Sequence, residues 1–150
     1  MLLYHYTSAS RIASIYESGL NKGEVPLTQN TALNGVWLTT DSSPSGHGLG
    51  EARLFTEAER LSVFQRTGMM PPQDQHWDNK REVRITIKLP SNNPNLSRWS
   101  KWGRKNLERN WYDALSVAGG GEQKAKTWWV YWGVITPDMF VAVDHLAPSA

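Results

Sequence analysis

Apolar and polar residues alternate in three short stretches of the chain, and this period of two predicts β-strands with two different faces. The stretches are residues 2–7, 35–41 and 82–89. In the first stretch, His5 and Thr7 point to the face opposite two tyrosines. In the last stretch, four apolar residues alternate with charged or polar ones, which is typical of a half-buried strand.

A helical period of apolar residues follows the first strand at once. Ile12, Ile15 and Tyr16 form one apolar face, and Gly19 is a residue that can adopt the left-handed conformation at a helix end. Two longer helices are predicted further along the chain, and each is followed by glycine. These helices cover residues 51–67 and about 98–118.

The remaining stretches predict loops and two final strands. Turn-forming residues indicate loops at 42–50 and 69–79, and a loop or short extended piece at 21–34. The final strands are predicted at 127–131 and 140–143. Because the strands are mixed with a few helices in no regular order, the pattern predicts an α+β fold. We expect residues 1–150 to form a single domain.

Composition excludes several classes of protein. The chain has no cysteine, so it has neither disulfides nor thiolate ligands or nucleophiles, which fits a reducing compartment. It shows no signal-peptide pattern and no apolar run near the ~20 residues that a membrane helix needs. We therefore expect a cytoplasmic protein, or one delivered into a host cytoplasm, without a membrane partner. The four histidines lack ligand spacing, so we predict no metal site.

The most unusual chemistry of the chain lies on the first two predicted strands. His5 and Thr7 share one face of the first strand, and Trp37 lies among hydroxyl-bearing residues on the second. This combination is unusual for a plain core and indicates a site built across two strands. Each residue also has a purely structural interpretation, with His5 as a core or capping residue and Trp37 as a half-buried aromatic.

The order of these motifs resembles the ADP-ribosyltransferase superfamily. A strand with His-x-Thr, a helix ending in Ser-Gly-Leu and the run Gly-Val-Trp-Leu-Thr-Thr-Asp look most like the diphtheria-toxin and poly-ADP-ribose-polymerase branch. Residues 128–143 are similar to the catalytic and last strands of these enzymes, and their end also resembles the RNA 2'-phosphotransferases. The resemblance implies a split β-sandwich with a few flanking helices, and NAD as the substrate.

The resemblance also implies roles for individual residues. His5 and Thr7 would hold a ribose of NAD, and Trp37 would stack on nicotinamide, where the branch usually has tyrosine. Thr39 joins Trp37 among the predicted cofactor-binding residues. Arg84 is a candidate to neutralise the diphosphate, because the phosphotransferase branch carries arginine in this region; its structural interpretation is a solvated strand residue.

One departure from the family concerns its catalytic glutamate, which grips the ribose 2'-hydroxyl at the start of the catalytic strand. In this chain that place falls near Thr127 and carries no acid. The nearest carboxylate upstream is Glu122, which follows three glycines, and Glu51 is a second candidate. We predict Glu122 as the catalytic carboxylate together with His5.

The resemblance implies a protein that transfers ADP-ribose from NAD to a protein or nucleic-acid acceptor, or hydrolyses NAD, as a toxin, phage-encoded modifier or defence factor does. Two alternatives stay open, an RNA 2'-phosphotransferase-like enzyme and a non-catalytic nucleotide-binding module.

The basic, tryptophan-rich segment 98–111 also has more than one interpretation. It predicts either an amphipathic helix that buries Trp99, Trp102 and Leu107, or a nucleic-acid surface, or the place that holds the modified partner.

Overall fold

A computed structural model describes residues 1–50 and 53–147, and within them the chain forms an α+β fold, as the sequence predicts. The strands are β1 Leu2–Thr7, β2 Glu24–Pro26, β3 Ala32–Asn34, β4 Val36–Thr39, β5 Val83–Lys88, β6 Leu96–Arg98, β7 Trp128–Tyr131 and β8 Phe140–His145. The helices are α1 Ile12–Ser18, α2 Glu57–Thr67, α3 Trp99–Asn106, α4 Arg109–Ala118 and α5 Glu122–Ala125. Single 3-10 turns cover Ala9–Arg11 and Pro137–Met139.

Six of the strands form one antiparallel sheet in the order β6-β7-β4-β1-β5-β8, and β2 and β3 form a separate hairpin. The two central contacts of the sheet differ. β1 is registered with β5 at six positions, from Leu2 opposite Lys88 to Thr7 opposite Val83. With β4 it is registered at one position only, Tyr4 opposite Thr39. The sheet therefore consists of two closely paired halves of three strands that meet loosely at its centre.

One face of the sheet is aliphatic, because the apolar positions of β1, β4 and β5 alternate in phase. Leu3, Val36, Ile85 and Ile87 are completely buried there. Helix α1 adds Ile15 to this cluster. The helix ends at Gly19, whose φ of 78° is a left-handed value that favours glycine.

The other face carries a cluster of aromatic residues. Trp99 of α3 is completely buried at its centre, stacked on Tyr112 of α4 at 5.4 Å between ring centroids. Trp37 of β4 and Trp128 of β7 meet this cluster edge-on. Gly119, which ends α4 as the sequence predicts, packs so closely on Trp128 that a Cβ at this position would overlap the indole ring.

The predicted helix over residues 98–118 is two helices. Leu107 and Glu108 have extended backbone, and the Glu108 carboxylate accepts hydrogen bonds from the amides of Asn110 and Trp111. A cap at this position starts a new helix because it satisfies amides that have no partner within the helix. Trp99 and Leu107 are buried as predicted, and Trp102 is half-buried.

Helix α2 begins later than the sequence pattern predicts. Thr56 and Glu59 form a reciprocal capping box that fixes its start at Glu57. The predicted first residue of this helix, Glu51, lies outside the described residues. Its role as a candidate carboxylate therefore stays a prediction. No residue of α2 is buried, so this helix adds nothing to the buried core of the sheet. The hairpin of β2 and β3 occupies a stretch predicted as a loop or short extended piece.

Candidate functional site

The centre of the candidate site is the place where β1 and β4 separate. Beyond the Tyr4–Thr39 pair, the side chain of His5 takes the place of a backbone partner. Its Nδ1 lies 2.8 Å from the carbonyl oxygen of Trp37. Because a carbonyl oxygen only accepts, Nδ1 carries the proton and donates it. The imidazole ring therefore bridges the two strands and fixes its own tautomer.

The second ring nitrogen of His5, Nε2, is available to accept a hydrogen bond. In this tautomer Nε2 is an acceptor, and it forms no hydrogen bond with any described residue. Burial lowers the pKa of His5 below its usual value, against the opposing effect of the hydrogen bond to Trp37, so the ring is neutral at pH 7. The Thr7 hydroxyl, two residues along the same strand face, likewise forms no hydrogen bond with the described residues.

These two groups line a cavity of about 650 Å³ that lies over the separation of the strands. A volume of this size falls within the range of small-molecule and cofactor sites. The cavity brings together all four residues predicted on β1 and β4, namely His5, Thr7, Trp37 and Thr39. Helix α1, the loop around residue 48 and the end of α4 complete its walls.

Trp37 is half-buried at the wall of this cavity. Its indole N–H donates to the backbone carbonyl of Glu24 at 2.8 Å, which orients the ring. The edges of Trp99 and Trp128 lie against it at centroid distances of 5.0 and 5.8 Å. The aromatic cluster thus holds Trp37 rigidly while part of its surface borders the cavity.

A pair of hydroxyls, those of Thr39 and Thr127, lies where β4 ends and β7 begins. Thr127 donates to the carbonyl of Lys124 at 2.7 Å, so the 2.7 Å contact between the two hydroxyls has Thr39 as donor. The Thr39 oxygen also accepts the amide of Asp41 at 3.0 Å. This place is therefore occupied by a satisfied, uncharged network.

A chain of four polar side chains secures the loop beside the cavity. Trp128 donates its indole N–H to Nδ1 of His47 at 2.8 Å, so Nε2 of His47 carries the proton and donates to Asp41 at 2.9 Å. Lys124 donates to the same carboxylate oxygen at 2.9 Å. His47 has a φ of 59°, a left-handed value that is unusual for a residue with a side chain. The network holds this strained residue in the cavity wall.

Burial favours neutral His47, whereas the network favours ionised Asp41. Burial lowers the pKa of His47, although Asp41 acts in the opposite direction. For Asp41, burial alone would raise the pKa, but hydrogen bonds from Lys124, the Ser43 amide and His47 outweigh it and lower the pKa below its usual value. Asp41 and Trp128 lie in motifs that the sequence analysis named, but no pattern linked them to His47 and Lys124, because the four meet only through the packing of a loop on β7 and α5.

Arg84 is not brought to the cavity. The register of β5 pairs it with Tyr6, on the sheet face opposite His5. Its guanidinium donates to the Ser42 carbonyl at 2.8 Å, approaches Asp144 at 3.5 Å and lies over the Tyr4 ring. The side chain is engaged in these structural contacts and does not line the cavity.

Glu122 is also away from the cavity. It is the exposed first residue of α5 and borders a separate surface groove with Arg104 and Arg109. The glycines before it place the start of α5 outside the cavity wall. Among the described lining residues, the only carboxylate belongs to the exposed Glu24 on β2.

Positive charge surrounds the mouth of the cavity. Arg11, Lys22 and Lys80 line it and are exposed, and none of them forms an ion pair within the described part of the chain. Against the single Glu24, these three cations favour an anionic ligand. Sequence analysis missed them because they come from three separate loops that only the tertiary structure brings together.

Other classes of site find no support in the described ranges. Residues 1–50 and 53–147 contain no group of three or more His, Asp or Glu side chains arranged to hold a metal ion. No helix within those ranges has the length and apolar character needed to cross a membrane. In comparisons of the chain with protein-family models, with curated proteins and with solved structures, none matches it.

Proposed function

We propose that the cavity binds NAD and that the protein is an ADP-ribosyltransferase-like enzyme acting on a protein or nucleic-acid acceptor, or on water. One observation carries the proposal. The free acceptor of His5 and the free hydroxyl of Thr7 face a cavity of about 650 Å³ that a rigid indole, Trp37, also borders. Hydrogen-bonding groups beside an aromatic surface suit a ribose joined to a flat ring.

The separation of the sheet supports the same proposal. A split β-sandwich has two packed groups of strands with a ligand cleft between them. Here β6, β7 and β4 form one closely paired group, and β1, β5 and β8 form the other. The cavity lies where these groups meet at their single registered pair, Tyr4 and Thr39.

In this proposal the diphosphate of NAD lies at the mouth of the cavity. Arg11, Lys22 and Lys80 supply the positive charge that sequence analysis assigned to Arg84. Nicotinamide leaves with the electron pair of its bond to the ribose C1' carbon. The acceptor, or water, forms the new bond to C1' and loses a proton.

Such an enzyme needs a carboxylate near the ribose. Negative charge near the ribose stabilises the positive charge that develops as the bond breaks. The Thr39–Thr127 hydroxyl pair supplies none, so in the proposed enzyme Glu24 is the carboxylate that enters the reaction. The same hydroxyl pair favours a second candidate function, a module that binds NAD without cleaving it.

One substitution at His5 tests the proposal, because it separates the two roles of the imidazole ring. In His5→Asn the amide nitrogen can replace Nδ1 at the Trp37 carbonyl, whereas the Nε2 acceptor is lost. NAD is titrated against tryptophan fluorescence, and nicotinamide release is measured by chromatography. We expect His5→Asn to lose about 0.5–1.5 kcal/mol of NAD binding, the usual contribution of one hydrogen bond. His76→Asn, in an exposed loop, is the matched control and keeps full affinity.

The readouts separate the candidates. Nicotinamide release that Glu24→Gln abolishes supports the enzyme with Glu24 as its acid. Saturable NAD binding without release supports the binding module. Loss of a 2'-phosphate from RNA, with no NAD cleavage, would replace both with the phosphotransferase alternative. An unmodified protein whose fluorescence does not respond to NAD would overturn both proposed functions.

A further inference from the structure

A stripe of cations runs along the outer side of α3. We define the basic stripe as Arg98, Lys101, Arg104 and Lys105, all of which are exposed. At about 100° per residue, the three members within the helix, Lys101, Arg104 and Lys105, span an arc of about 100°, and Arg98 is the extended residue just before it. The buried residues of the helix, Trp99 and Gly103, lie on the opposite side. The stripe is therefore the solvent face of a helix whose inner face is anchored in the aromatic cluster.

The cations of the stripe are not used for the fold. None of them forms an ion pair within the described part of the chain, and Arg104 has only the Tyr112 ring beneath its guanidinium, at 5.8 Å. Arg109 follows at the start of α4, so five cations occur in the twelve residues from 98 to 109. In a chain of net charge +2, this is a local concentration of positive charge. Glu108 is the one carboxylate in the same twelve residues, so their net charge is +4. Such an excess of positive charge attracts a polyanion.

Two tryptophans flank the stripe and indicate which polyanion it suits. Trp102 and Trp132 are half-buried, with ring centroids 5.1 Å apart. Trp132 donates its N–H to Ser97, whereas the indole N–H of Trp102 has no partner among the described residues. On the helix, Trp102 lies about 60° from Lys105. Accessible aromatic surface beside cations is the combination that binds unstacked bases together with their phosphates.

We propose that the basic stripe and Trp102 form a binding surface for single-stranded nucleic acid. The phosphates contact the cations, and a base contacts the accessible part of the Trp102 ring. A duplex offers the same phosphates but keeps its bases stacked inside. An acidic protein offers charge without bases. Neither the stripe residues nor Trp102 line the proposed NAD cavity, so the test of this surface needs no NAD.

The test compares two variants with the same change in charge. Lys101→Gln with Lys105→Gln removes two cations from the stripe. Arg66→Gln with Lys88→Gln removes two exposed cations from α2 and β5, away from α3. Binding of a fluorescein-labelled 20-nucleotide single strand is followed by anisotropy between 50 and 300 mM salt (roughly the span over which counterion release dominates). Thermal melts confirm that both variants are folded.

We expect the stripe variant to bind roughly 10- to 100-fold more weakly at the lowest salt, and its salt slope to decrease by about 1.4, because each lost phosphate contact on a single strand contributes about 0.7. The control variant keeps the slope of the unmodified protein. Equal weakening of both variants would place the binding elsewhere. Equal affinity for a duplex of the same sequence, or displacement by polyglutamate of the same charge, would overturn single-strand recognition.

Discussion

The two edges of strand β1 are bonded in different ways. On the β5 side, six registered pairs run the whole length of the strand. On the β4 side, one registered pair is followed by a hydrogen bond from the His5 side chain to the Trp37 carbonyl. Where backbone hydrogen bonds pair two strands, no space is left between them. A side-chain hydrogen bond to the backbone connects two strands while holding them further apart. The second edge can therefore hold a cavity.

The two edges also differ in what surrounds them. The β5 edge is backed by fully buried aliphatic side chains, including Ile85 and Ile87. On the β4 edge, His5 Nδ1, the Trp37 indole N–H and the Thr39 hydroxyl have specific partners, whereas His5 Nε2 and the Thr7 hydroxyl have none among the described residues. Polar groups in a protected place cost free energy unless they are paired. From this contrast we expect substitutions on the β5 edge to affect mainly stability, and the β4 edge to form the wall of the candidate site.

The largest effect is expected on the β5 edge. Ile85→Ala removes completely buried methyl and methylene groups from the aliphatic cluster and should lower the free energy of unfolding by about 2–5 kcal/mol. Urea denaturation measures it, with the exposed Val141 changed to alanine as the control. A loss as small as that of the control would show that the aliphatic face does not dominate stability.

Thr39→Val should have the next largest effect, this time on the β4 edge. The substitution keeps the shape of the side chain but removes its bonds with Thr127 and the Asp41 amide. Leaving partly buried partners unpaired costs about 1–3 kcal/mol. The control is Thr31→Val, which breaks a hydroxyl pair of the same 2.7 Å length at an exposed turn and should change the unfolding free energy by less than about 0.5 kcal/mol. Equal losses would mean that burial of the pair is unimportant.

Sequence patterns predicted the elements on both edges of β1. The alternation in residues 82–89 corresponds to β5, and the motifs around His5 and Trp37 correspond to neighbouring strands. The hydrophobic period within a short stretch of sequence indicates which face of a strand or helix a residue occupies, without any information from distant residues. The break at Leu107 was missed because the apolar period continues through it, although the capping residue Glu108 was visible in the sequence.

The part of the site that sequence analysis missed is made of distant residues. His47 reaches Trp128 across 81 positions, and Lys124 reaches Asp41 across 83. No local pattern encodes such contacts. Arg84 has the predicted charge, but its guanidinium is engaged by the Ser42 carbonyl and Asp144 and does not line the cavity. These partners too are distant in the sequence.

His5→Gln should cost less stability than the threonine change. Glutamine can present a polar group near the position of Nε2 but loses the donor at Nδ1, so the Trp37 carbonyl is left unpaired at about 0.5–1.5 kcal/mol. His5→Asn preserves that donor and should melt closer to the unmodified protein. Thermal melts of the two variants measure the difference. Equal melting temperatures would show that the bridge contributes nothing to the joining of β1 and β4.

The smallest expected effect is a dependence of stability on pH that originates at His47. Its pKa in the folded protein lies below the usual value of 6.5, so as pH falls the unfolded chain binds a proton before the folded protein does. Stability is therefore complete above about pH 6.5 and declines as the solution becomes more acidic.

His5 adds to this decline in the same direction, because burial also lowers its pKa. Asp41, whose folded pKa lies below 3.8, contributes only in stronger acid, where its stabilising effect is lost. Urea denaturation between about pH 8 and 5 isolates the histidines, since this range contains their unperturbed pKa and not that of aspartate. We expect His47→Gln to show a shallower decline than the unmodified protein, and His76→Gln, at an exposed position, to retain the full decline. Parallel pH profiles for all three proteins would mean that burial does not lower the pKa of His47 in the folded protein.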